Sequence, residues 1–321
     1  MDIIRLKDTV NPVLPASVAT IGFFDGVHRG HQFLIRQVRQ EAQASGLSSM
    51  VITFDQHPRQ VLAQAYQPHL LTTLDEKLRR LSMTDIDYVV VLHFDSDMAS
   101  LSAFDFMRTV LRDRLHVRQL VIGYDNRFGH RSALAKSEGF DDYVRYGEQL
   151  GIRVVHNPAF LLNDVKVSSS VVRSFLSVGE VELANQCLGY PFMLPGHVVH
   201  GYQEGRRIGF PTANLSVDDD SLLIPENGVY AVRVTIGTDA VAHEGMMNIG
   251  TRPTFDGDKR TLEVNIFDFD ADIYGQPVSV AFMKRLRAEK RFDSPARLAE
   301  QLRQDERDIR AFFVELQEKN N

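Results

Sequence analysis

The feature that most constrains the fold is a turn rich in glycine and histidine between an apolar run and a helical pattern, Thr20-Ile-Gly-Phe-Phe-Asp-Gly-Val-His-Arg-Gly-His31. The run from Ser17 to Phe23 predicts a strand, and Leu34, Val38 and Ala42 at four-residue spacing predict the helix that follows. In α/β folds such a turn lies at the carboxyl end of its strand, where ligands bind. Glycines let an anion approach the backbone amides, and the helix start adds a partial positive charge. The turn therefore predicts a phosphate-binding site in an α/β domain.

Two histidines of this turn are candidates for chemistry. His28 and His31 stand three residues apart in the first turn of the predicted helix. Side chains at that spacing share one face, so both imidazoles could donate to the oxygens of a phosphoryl group under attack. The alternative is a pair of solvated surface histidines beside an ordinary turn.

Composition indicates a globular protein with two cores. The 321 residues suggest two domains, and 44% hydrophobic residues suffice to fill them. Cys187 is the single cysteine, which excludes an intramolecular disulfide framework and favours a reducing cytoplasm. The formal net charge of −6 argues against a nucleic-acid-binding surface, and no apolar run predicts a signal peptide or membrane span. Neither a Walker A string nor a Gly-x-Gly-x-x-Gly is present, so ordinary P-loop and dinucleotide classes have no support.

The first half of the chain alternates short apolar runs with helical stretches. The predicted strands are 50–54, 88–94, 120–123 and 152–156, and the predicted helices are 75–83, 103–115 and 137–150. This alternation predicts a Rossmann-like domain, a parallel sheet with helices on both faces.

The pattern changes after residue 195. Short strands without intervening helices are predicted at 198–200, 229–236, 242–247, 261–269 and 278–282, which favours a small antiparallel β-barrel. A charged helix from about Ser294 to Gln317 carries an apolar stripe that we expect to pack on the barrel. The predicted fold class is α/β plus β, with domains at 1–185 and 186–321.

The string from Gly22 to His31 resembles the His-x-Gly-His signature of the nucleotidyltransferase superfamily. Its form is most similar to the adenylyltransferase half of the bacterial bifunctional riboflavin kinase/FAD synthetase family. The resemblance implies that His28 and His31 stabilise charge during the transfer. It also implies substrate or nucleotide contacts for Gly22, Phe23, Asp25 and Gly30.

Two segments that follow later strands resemble the same family. Thr53-Phe-Asp-Gln-His57-Pro58 is similar to a segment whose histidine and proline border the nucleotide and flavin sites, which implies binding roles for His57 and Pro58. Gly123-Tyr-Asp-Asn-Arg-Phe-Gly129 is similar to a Gly-x-Asp-Phe-x-Phe-Gly segment and implies a binding role for Asp125. Asn126 departs from the family pattern, because an aromatic residue is common there.

A third segment, Val167-Ser168-Ser169-Ser170-Val-Val-Arg173, resembles the Ser-Ser-Thr-x-x-Arg motif of the superfamily. Hydroxyls and free amides at a helix start, with an arginine one turn later, suit the β- and γ-phosphates that leave as pyrophosphate. The resemblance implies that Ser169 and Ser170 bind the nucleotide and that Arg173 is catalytic. Taken alone, the segment would be an ordinary serine cap.

A second glycine-rich string, from Gly201 to Asn214, resembles the riboflavin kinase signature that ends in Pro-Thr-Ala-Asn. Its glycines allow a loop to wrap phosphates through backbone amides. Thr212 and Asn214 offer hard oxygen ligands for a magnesium ion that ATP already holds. The remaining implied binding residues of the string are Gly201, Gly205, Arg206, Gly209, Phe210 and Pro211.

Glu263 is the candidate base of the kinase. In its strand Glu263 lies on the opposite face from Leu262 and Val264, and a carboxylate there can take a proton from an attacking hydroxyl. The resemblance supports this role, because the family's glutamate follows an Asn-Ile-Gly-x-x-Pro-Thr segment that begins here at Asn248. It also implies that the loop from Asn248 to Thr254 and the segment from Arg287 to Phe292 form lids over nucleotide and flavin, with binding roles for Asn248 and Arg287.

Arg287 belongs to a basic run with Arg285, Lys290 and Arg291. From the sequence alone, a solvated segment leading into the helix explains this run better than a ligand does.

The resemblance covers nearly the whole chain and implies a bifunctional enzyme. It would phosphorylate riboflavin to FMN with ATP and then adenylylate FMN to FAD with release of pyrophosphate. The expected cofactor is Mg²⁺ with ATP, and FMN and FAD are substrate and product. The expected partners are ATP, riboflavin and FMN, without nucleic acid or membrane, in a monomer or weakly self-associating protein. The alternatives are an enzyme with one working half, a nucleotidyl transfer to another small phosphoester, and a flavin-binding protein without turnover.

Overall fold

The computed structural model describes residues 1–6, 13–57, 68–124, 128–129, 138–201, 205, 209–239, 241–254 and 257–320. By its internal contacts the chain divides into two compact units, Met1–Ser169 and Ser170–Asn321. Residues 170–185, which precede the predicted domain boundary, thus group with the second unit. Where one functional domain ends and the next begins stays a prediction.

The first unit is built from eight strands and five helices within the described ranges. In chain order they are β1 (Asp2–Arg5), β2 (Ser17–Ile21), α1 (Arg29–Ser45), β3 (Ser48–Phe54), α2 (Leu74–Ser82), β4 (Tyr88–Leu92), α3 (Ser96–Ser100), α4 (Ala103–Phe106, continued by a π-helical segment Met107–Arg114), β5 (Val117–Gly123), α5 (Phe140–Leu150), β6 (Arg153–Asn157), β7 (Leu161–Leu162) and β8 (Val165–Lys166).

Six of these strands form one parallel sheet in the order β1-β4-β3-β2-β5-β6. The predicted Rossmann-like arrangement is confirmed. Chain order reverses at β2, because β3, β4 and β1 lie on one side of it and β5 and β6 on the other. Ligands of such sheets bind beyond the carboxyl ends of the strands at this switch point, and the histidine turn follows β2 there.

The central strands are buried on both faces, which is why they lack a polar face in the sequence. All five residues of β2 are buried. Ala19 and Ile21 belong to one apolar cluster, and Val18 belongs to the other together with Val38 of α1. Continuous apolar runs of this kind are typical of parallel strands covered by helices on two sides.

The second unit consists of α6 (Ser169–Ser177, whose first residue belongs to the first unit), α7 (Val181–Leu188), a six-stranded barrel and a terminal helix. Its strands and helix are β9 (Phe192–Val199), β10 (Ala213–Ser216), β11 (Gly228–Ile236), β12 (Ala242–Thr254), β13 (Gly257–Ile266), β14 (Pro277–Arg287) and α8 (Pro295–Asn320). The barrel closes in the order β10-β13-β12-β11-β14-β9, and every neighbouring pair is antiparallel.

Helix α8 covers one outer face of the barrel, as its apolar stripe predicts. Ile309 and Phe313 are buried in a cluster with Val229 and Met246 of the barrel. The backbone amide of Arg297 donates to the Ser294 hydroxyl at 3.3 Å, which confirms the predicted cap.

Several element boundaries differ from the sequence-based prediction. β2 ends at Ile21 rather than Phe23, because Phe24 adopts a left-handed φ of 56° as the turn begins. The predicted helix 137–150 begins at Phe140, and residues 130–137 lie outside the described part. The short strands β1 and β10 were not predicted.

Strand β14 corrects the prediction of a solvated basic run for two of its four residues, whereas Lys290 and Arg291 are exposed as predicted. It extends to Arg287, so Arg285 and Arg287 are strand residues. The Arg285 guanidinium donates to the carbonyls of Val178 at 3.1 Å and Asn227 at 2.6 Å. The Arg285 side chain is therefore bound by backbone carbonyls of the protein and is not simply solvated.

Candidate active sites

The histidine turn is a tight backbone reversal between β2 and α1. Phe24, Gly26 and Val27 have φ values of 56°, 77° and 37°, the left-handed region that costs energy for residues other than glycine. The amide of Gly26 donates to the Thr72 hydroxyl at 3.1 Å. Strain of this kind persists only where surrounding contacts hold it, and it is typical of ligand sites.

Asp25 supplies many of those contacts. Its side chain is only 3% exposed. The carboxylate accepts hydrogen bonds from the backbone amides of Leu71 at 2.9 Å and Thr72 at 3.2 Å. Asp25 therefore holds the turn in place, and its predicted direct contact with a substrate stays a prediction.

The two histidines stack against each other at the start of α1. Their ring centroids are 3.6 Å apart, with the planes inclined by 19°. His28 is the N-cap, and its Nδ1 accepts from the backbone amide of His31 at 3.3 Å. Because Nδ1 accepts, a neutral His28 ring carries its proton on Nε2, which makes Nε2 the donor atom of this imidazole.

His31 is held in its neutral form. Burial lowers its pKa well below the usual value, and the neighbouring charges of His28 and Lys77 lower it further. Its Nδ1 is buried and has no hydrogen-bond partner among the described residues. A buried polar atom without a partner costs free energy, and such atoms are common where a ligand completes the site.

Lys77 of α2 contacts the same turn and lies outside every motif of the sequence. The residue is 2% exposed, and its ammonium donates to the carbonyls of Phe54 at 2.8 Å and Phe23 at 3.1 Å. The one signal in the sequence is its spacing from Leu74, Leu78 and Leu81, which places it on the apolar face of α2.

The segment before α6 packs against the start of α1. A Cβ on Gly30 would lie 2.9 Å from the Val167 carbonyl oxygen, so only glycine fits there. The Ser169 hydroxyl donates to the Asp25 carbonyl at 2.9 Å. The structure thus brings the serine motif to the histidine turn through Ser169. Ser170 and Arg173 follow on α6 in the second unit, and their contact with the nucleotide stays a prediction.

The structure describes some of the other predicted residues of the first site, and the rest lie outside the described ranges. The Phe23 ring contacts the His57 ring edge-on at 4.7 Å, and the Gly22 amide continues the sheet by donating to Ile52 at 3.0 Å. Pro58, Asp125 and Asn126 lie outside the described residues. Phe128 stacks on Tyr143 at 4.5 Å and packs against the core of the first unit.

The barrel brings its candidate residues together through strand register. Asn214 of β10 pairs with Glu263 of β13, and Glu263 pairs with Asn248 of β12. Directly paired residues of neighbouring strands point to the same face. The Thr212 hydroxyl lies 3.4 Å from the Glu263 carboxylate. Four predicted residues thus form one polar cluster, which we call the barrel cluster.

The glycine-rich loop closes onto this cluster. A Cβ on Gly201 would overlap the Asn214 amide, and a Cβ on Gly205 would overlap the Phe210 carbonyl. The Phe210 amide donates to Gly205 at 2.8 Å, and Gly209 has a φ of 84°. Gly201 and Gly205 are therefore required for the packing of the loop itself, and its contact with phosphates stays a prediction. Arg206 lies outside the described residues.

An adjoining cavity of about 380 Å³ shares Thr212 with the barrel cluster. Its lining combines apolar side chains with the polar groups of Thr212, Asp270, Asp272 and Tyr274; the other lining residues are Val198, Pro211, Ala213, Val264, Ile266, Phe269, Ala271 and Ile273. The size is within the range of small-molecule sites.

Comparison with known families follows the division into two units. The FAD synthetase family matches residues 11–171, and the riboflavin kinase family matches residues 188–313. A bifunctional riboflavin kinase/FMN adenylyltransferase of Escherichia coli K12 is 40% identical over 299 residues, 92% of each chain. The chain belongs to the bifunctional riboflavin kinase/FMN adenylyltransferase family.

Other members of this family match over similar lengths. The enzyme of Listeria monocytogenes is 38% identical and covers 94% of both chains, and that of Haemophilus influenzae is 36% identical and covers 98% of this chain. A crystal structure from Streptococcus pneumoniae described as a macrolide-efflux protein superimposes with a TM-score of 0.85 at 34% identity, over 96% of this chain. The efflux description applies to that protein. In the described part of the present chain, no helix is long and apolar enough to cross a membrane.

Arg287, a predicted binding residue of the riboflavin kinase half, is engaged by α8. Its guanidinium donates to the Asp305 carboxylate at 2.6 Å through one terminal nitrogen and at 3.0 Å through Nε. Asp305 is 1% exposed. These contacts tie the end of β14 to α8, and a direct contact of Arg287 with substrate stays a prediction.

Proposed function

We propose that this chain performs both reactions of its family, phosphorylation of riboflavin to FMN and adenylylation of FMN to FAD. The observation that carries the proposal is the coincidence of two matched families with two separate polar sites, one in each unit. The first site is the stacked histidine pair at the switch point of the sheet, and the second is the barrel cluster.

In the first unit an FMN phosphate oxygen attacks the α-phosphorus of ATP. The new oxygen–phosphorus bond forms as the bond to the bridging oxygen breaks, and pyrophosphate leaves with the electron pair. The Nε2–H of His28 and the neutral ring of His31 donate to the phosphate oxygens as charge builds on them. Ser169, whose hydroxyl contacts the histidine turn, binds the leaving phosphates, and the family resemblance implies the same role for Ser170 and Arg173. Positioning and electrostatics supply the rate, because the protein forms no covalent bond to the substrate.

In the second unit the terminal hydroxyl of riboflavin attacks the γ-phosphorus of ATP. Glu263 accepts the hydroxyl proton, and ADP leaves as the bond from the γ-phosphorus to the bridging oxygen breaks. The glycine loop binds the phosphates through its amides. The adjoining cavity, about 380 Å³ with both apolar side chains and polar groups in its lining, suits a planar ring that carries hydrogen-bonding atoms, from one of the two substrates.

Magnesium enters with the nucleotide in this proposal. No group of three or more His, Cys, Asp or Glu in the described ranges could hold a metal ion. The barrel cluster offers oxygens of Thr212 and Asn214 beside the Glu263 carboxylate, a donor set that suits a hard cation with most ligands from phosphate and water. The ion would neutralise charge on the triphosphate.

The cellular setting follows from the substrates. We propose a cytoplasmic protein that uses ATP, riboflavin and FMN, binds neither nucleic acid nor membrane, and is monomeric or weakly self-associating. The net charge of −6 and the single Cys187 support this assignment.

Separation of flavins by chromatography tests the proposal. The purified chain is incubated with ATP and magnesium and either riboflavin or FMN. Sequential appearance of FMN and FAD supports both activities. FMN as the sole product refutes the adenylyltransferase assignment, FAD from supplied FMN alone refutes the kinase assignment, and no turnover favours a flavin-binding protein.

Two variants assign the sites. His31→Ala should abolish FAD formation and leave FMN formation unchanged, because the barrel contains the complete kinase cluster. Glu263→Ala should abolish FMN formation and leave FAD formation from supplied FMN unchanged. Each untouched reaction reports that the protein is folded. Loss of both reactions in a folded variant would contradict the assignment of two separate sites.

A further inference from the structure

Lys77 makes contacts that its sequence surroundings do not predict. It lies in α2 within the charged stretch Asp75-Glu-Lys-Leu-Arg-Arg80, yet only 2% of its surface is exposed. The neighbouring Glu76 is bound to Arg79 and Arg80 at 2.6 Å each, so the ammonium of Lys77 points away from these partners and into the protein.

The ammonium joins the ends of two strands. It donates to the carbonyl of Phe54, the last residue of β3, and to that of Phe23, just beyond β2. Carbonyls at strand ends have lost their partners in the sheet, and a buried carbonyl without a donor is costly. One cation satisfies both, and it also lies 3.9 Å from the centre of the Phe23 ring.

Phe23 lies at the start of the histidine turn, two residues after the end of β2. Its carbonyl accepts a second hydrogen bond from the Thr53 hydroxyl at 3.1 Å, so β3 and α2 both fix the point where the turn leaves the sheet. From there the left-handed backbone leads directly to His28. A displacement of Phe23 would therefore move both imidazoles.

Burial and the surrounding charges have opposite effects on the pKa of Lys77. Asp25 of the turn and Asp55 just after β3 favour its charged form, whereas the positive charge of Lys77 acts on His31 and lowers the pKa of that ring. Burial outweighs the two carboxylates and lowers the pKa of Lys77 to about 8. Of the other charged groups nearby, Asp75 is 93% exposed, and His93 is bound to Asp55 at 2.6 Å.

We propose that Lys77 is a positioning residue of the adenylyltransferase site, which links the end of β3 to the segment just beyond β2 and places a buried positive charge behind the histidine turn. The inference rests on the proposed FAD synthesis. It predicts that loss of the charge misplaces the imidazoles and releases His31 from a nearby positive charge.

The test compares Lys77→Met with Arg79→Met. The first change replaces a buried cation with an uncharged side chain of similar length. The second removes an exposed cation from the same helix. FAD formation from supplied FMN is measured as kcat, KM for ATP and the pH dependence of kcat/KM. FMN formation from riboflavin by the same protein is the internal control.

We expect Lys77→Met to lower kcat for FAD formation on the order of 100-fold, the effect of a misplacement of about 1 Å, with a smaller change in KM. In the unmodified protein kcat/KM should fall above a pH of about 8 as Lys77 loses its proton, and this alkaline limb should vanish in the variant. The acid limb should move to higher pH, because the charge of Lys77 no longer lowers the pKa of His31. FMN formation should be unchanged.

The proposal is overturned if Lys77→Met matches Arg79→Met in kcat and retains the alkaline limb. Lys77→Gln guards against misfolding, because its amide keeps a hydrogen-bond donor without the charge. This variant should retain the fold and lose the alkaline limb.

Titration of the His31 ring by NMR is independent of turnover. If the unmodified protein makes no FAD, the proposed function fails. An upward shift of the His31 pKa in Lys77→Met would still support the role of Lys77. An unchanged His31 pKa would refute that role.

Discussion

The ion pair between Arg287 and Asp305 should be the main electrostatic tie of α8 to the barrel. Asp305 is 1% exposed and accepts from Arg287 at 2.6, 3.0 and 3.1 Å and from Gln301 at 2.9 Å. The change Asp305→Ala leaves the guanidinium without its partner. Removal of one member of a buried pair typically costs about 3–5 kcal/mol.

The lower end of this range applies here. The Arg287 side chain retains 21% exposure, so water can reach it once the carboxylate is gone. We therefore expect a loss of about 3 kcal/mol in the free energy of unfolding of the second unit. For a domain of about 150 residues, that loss lowers Tm by about 6–12 °C.

Differential scanning calorimetry measures the effect, with Asp308→Ala as the matched control. Asp308 lies on the same helix, is exposed and accepts only from Gln304 among the contacts described. The control should change stability by less than about 0.5 kcal/mol. FAD formation from supplied FMN should persist in both variants. Equal Tm values for the two variants would refute the reasoning.

A double replacement separates packing from charge. Arg287→Met with Asp305→Leu removes both charges and fills their space with apolar groups. Replacement of a buried pair in this way is often neutral or stabilising. We expect the double variant to recover most of the loss caused by Asp305→Ala, and a loss that remained in full would mean that the surrounding polar groups depend on the pair.

Three further outcomes follow from the structure. Gly201→Ala should abolish FMN formation while FAD formation from FMN persists, because the new Cβ overlaps the Asn214 amide; flavin chromatography checks this. The first unit should lose stability on acidification below a pH of about 6.5, by up to about 1.4 kcal/mol per pH unit, because unfolded His31 binds a proton that the folded form resists; urea unfolding of His31→Asn should show a smaller slope. Phe313→Ala should destabilise the second unit by about 3–5 kcal/mol, since the ring is 1% exposed, whereas Val314→Ala at an exposed position should have little effect on Tm.

The fold class could be predicted because hydrophobic periodicity reflects burial directly. β3 is an apolar run buried on both faces, and the strand was predicted almost to its ends. β1 escaped prediction because most of its four residues are exposed, so no apolar pattern marks it. The extension of β14 escaped because Arg285 and Arg287 interrupt its apolar pattern, and their partners lie in distant segments.

The candidate residues could be selected from the sequence where they lie in one short string, as the histidine pair and the glycine loop do. The structure places His28 against His31, and it also brings Thr212 beside the distant Glu263. The roles of these residues in binding and catalysis stay predictions. Lys77 could not be found in this way. Its acceptors, Phe23 and Phe54, are backbone carbonyls, which leave no trace in the identity of the residues that carry them.

Because of the strand register of the barrel, the appearance of kinase activity during refolding should report when the barrel closes. Asn214 and Glu263 meet only when β10 pairs with β13, a contact between segments far apart in the chain. Contacts of long sequence separation form late, because a large loop must close first. During refolding, FMN formation should therefore appear only as the barrel closes, after most of its hairpins have formed. The onset of riboflavin turnover would then report the time of one folding step, the pairing of β10 with β13. Spectroscopic probes report only a signal averaged over the whole domain.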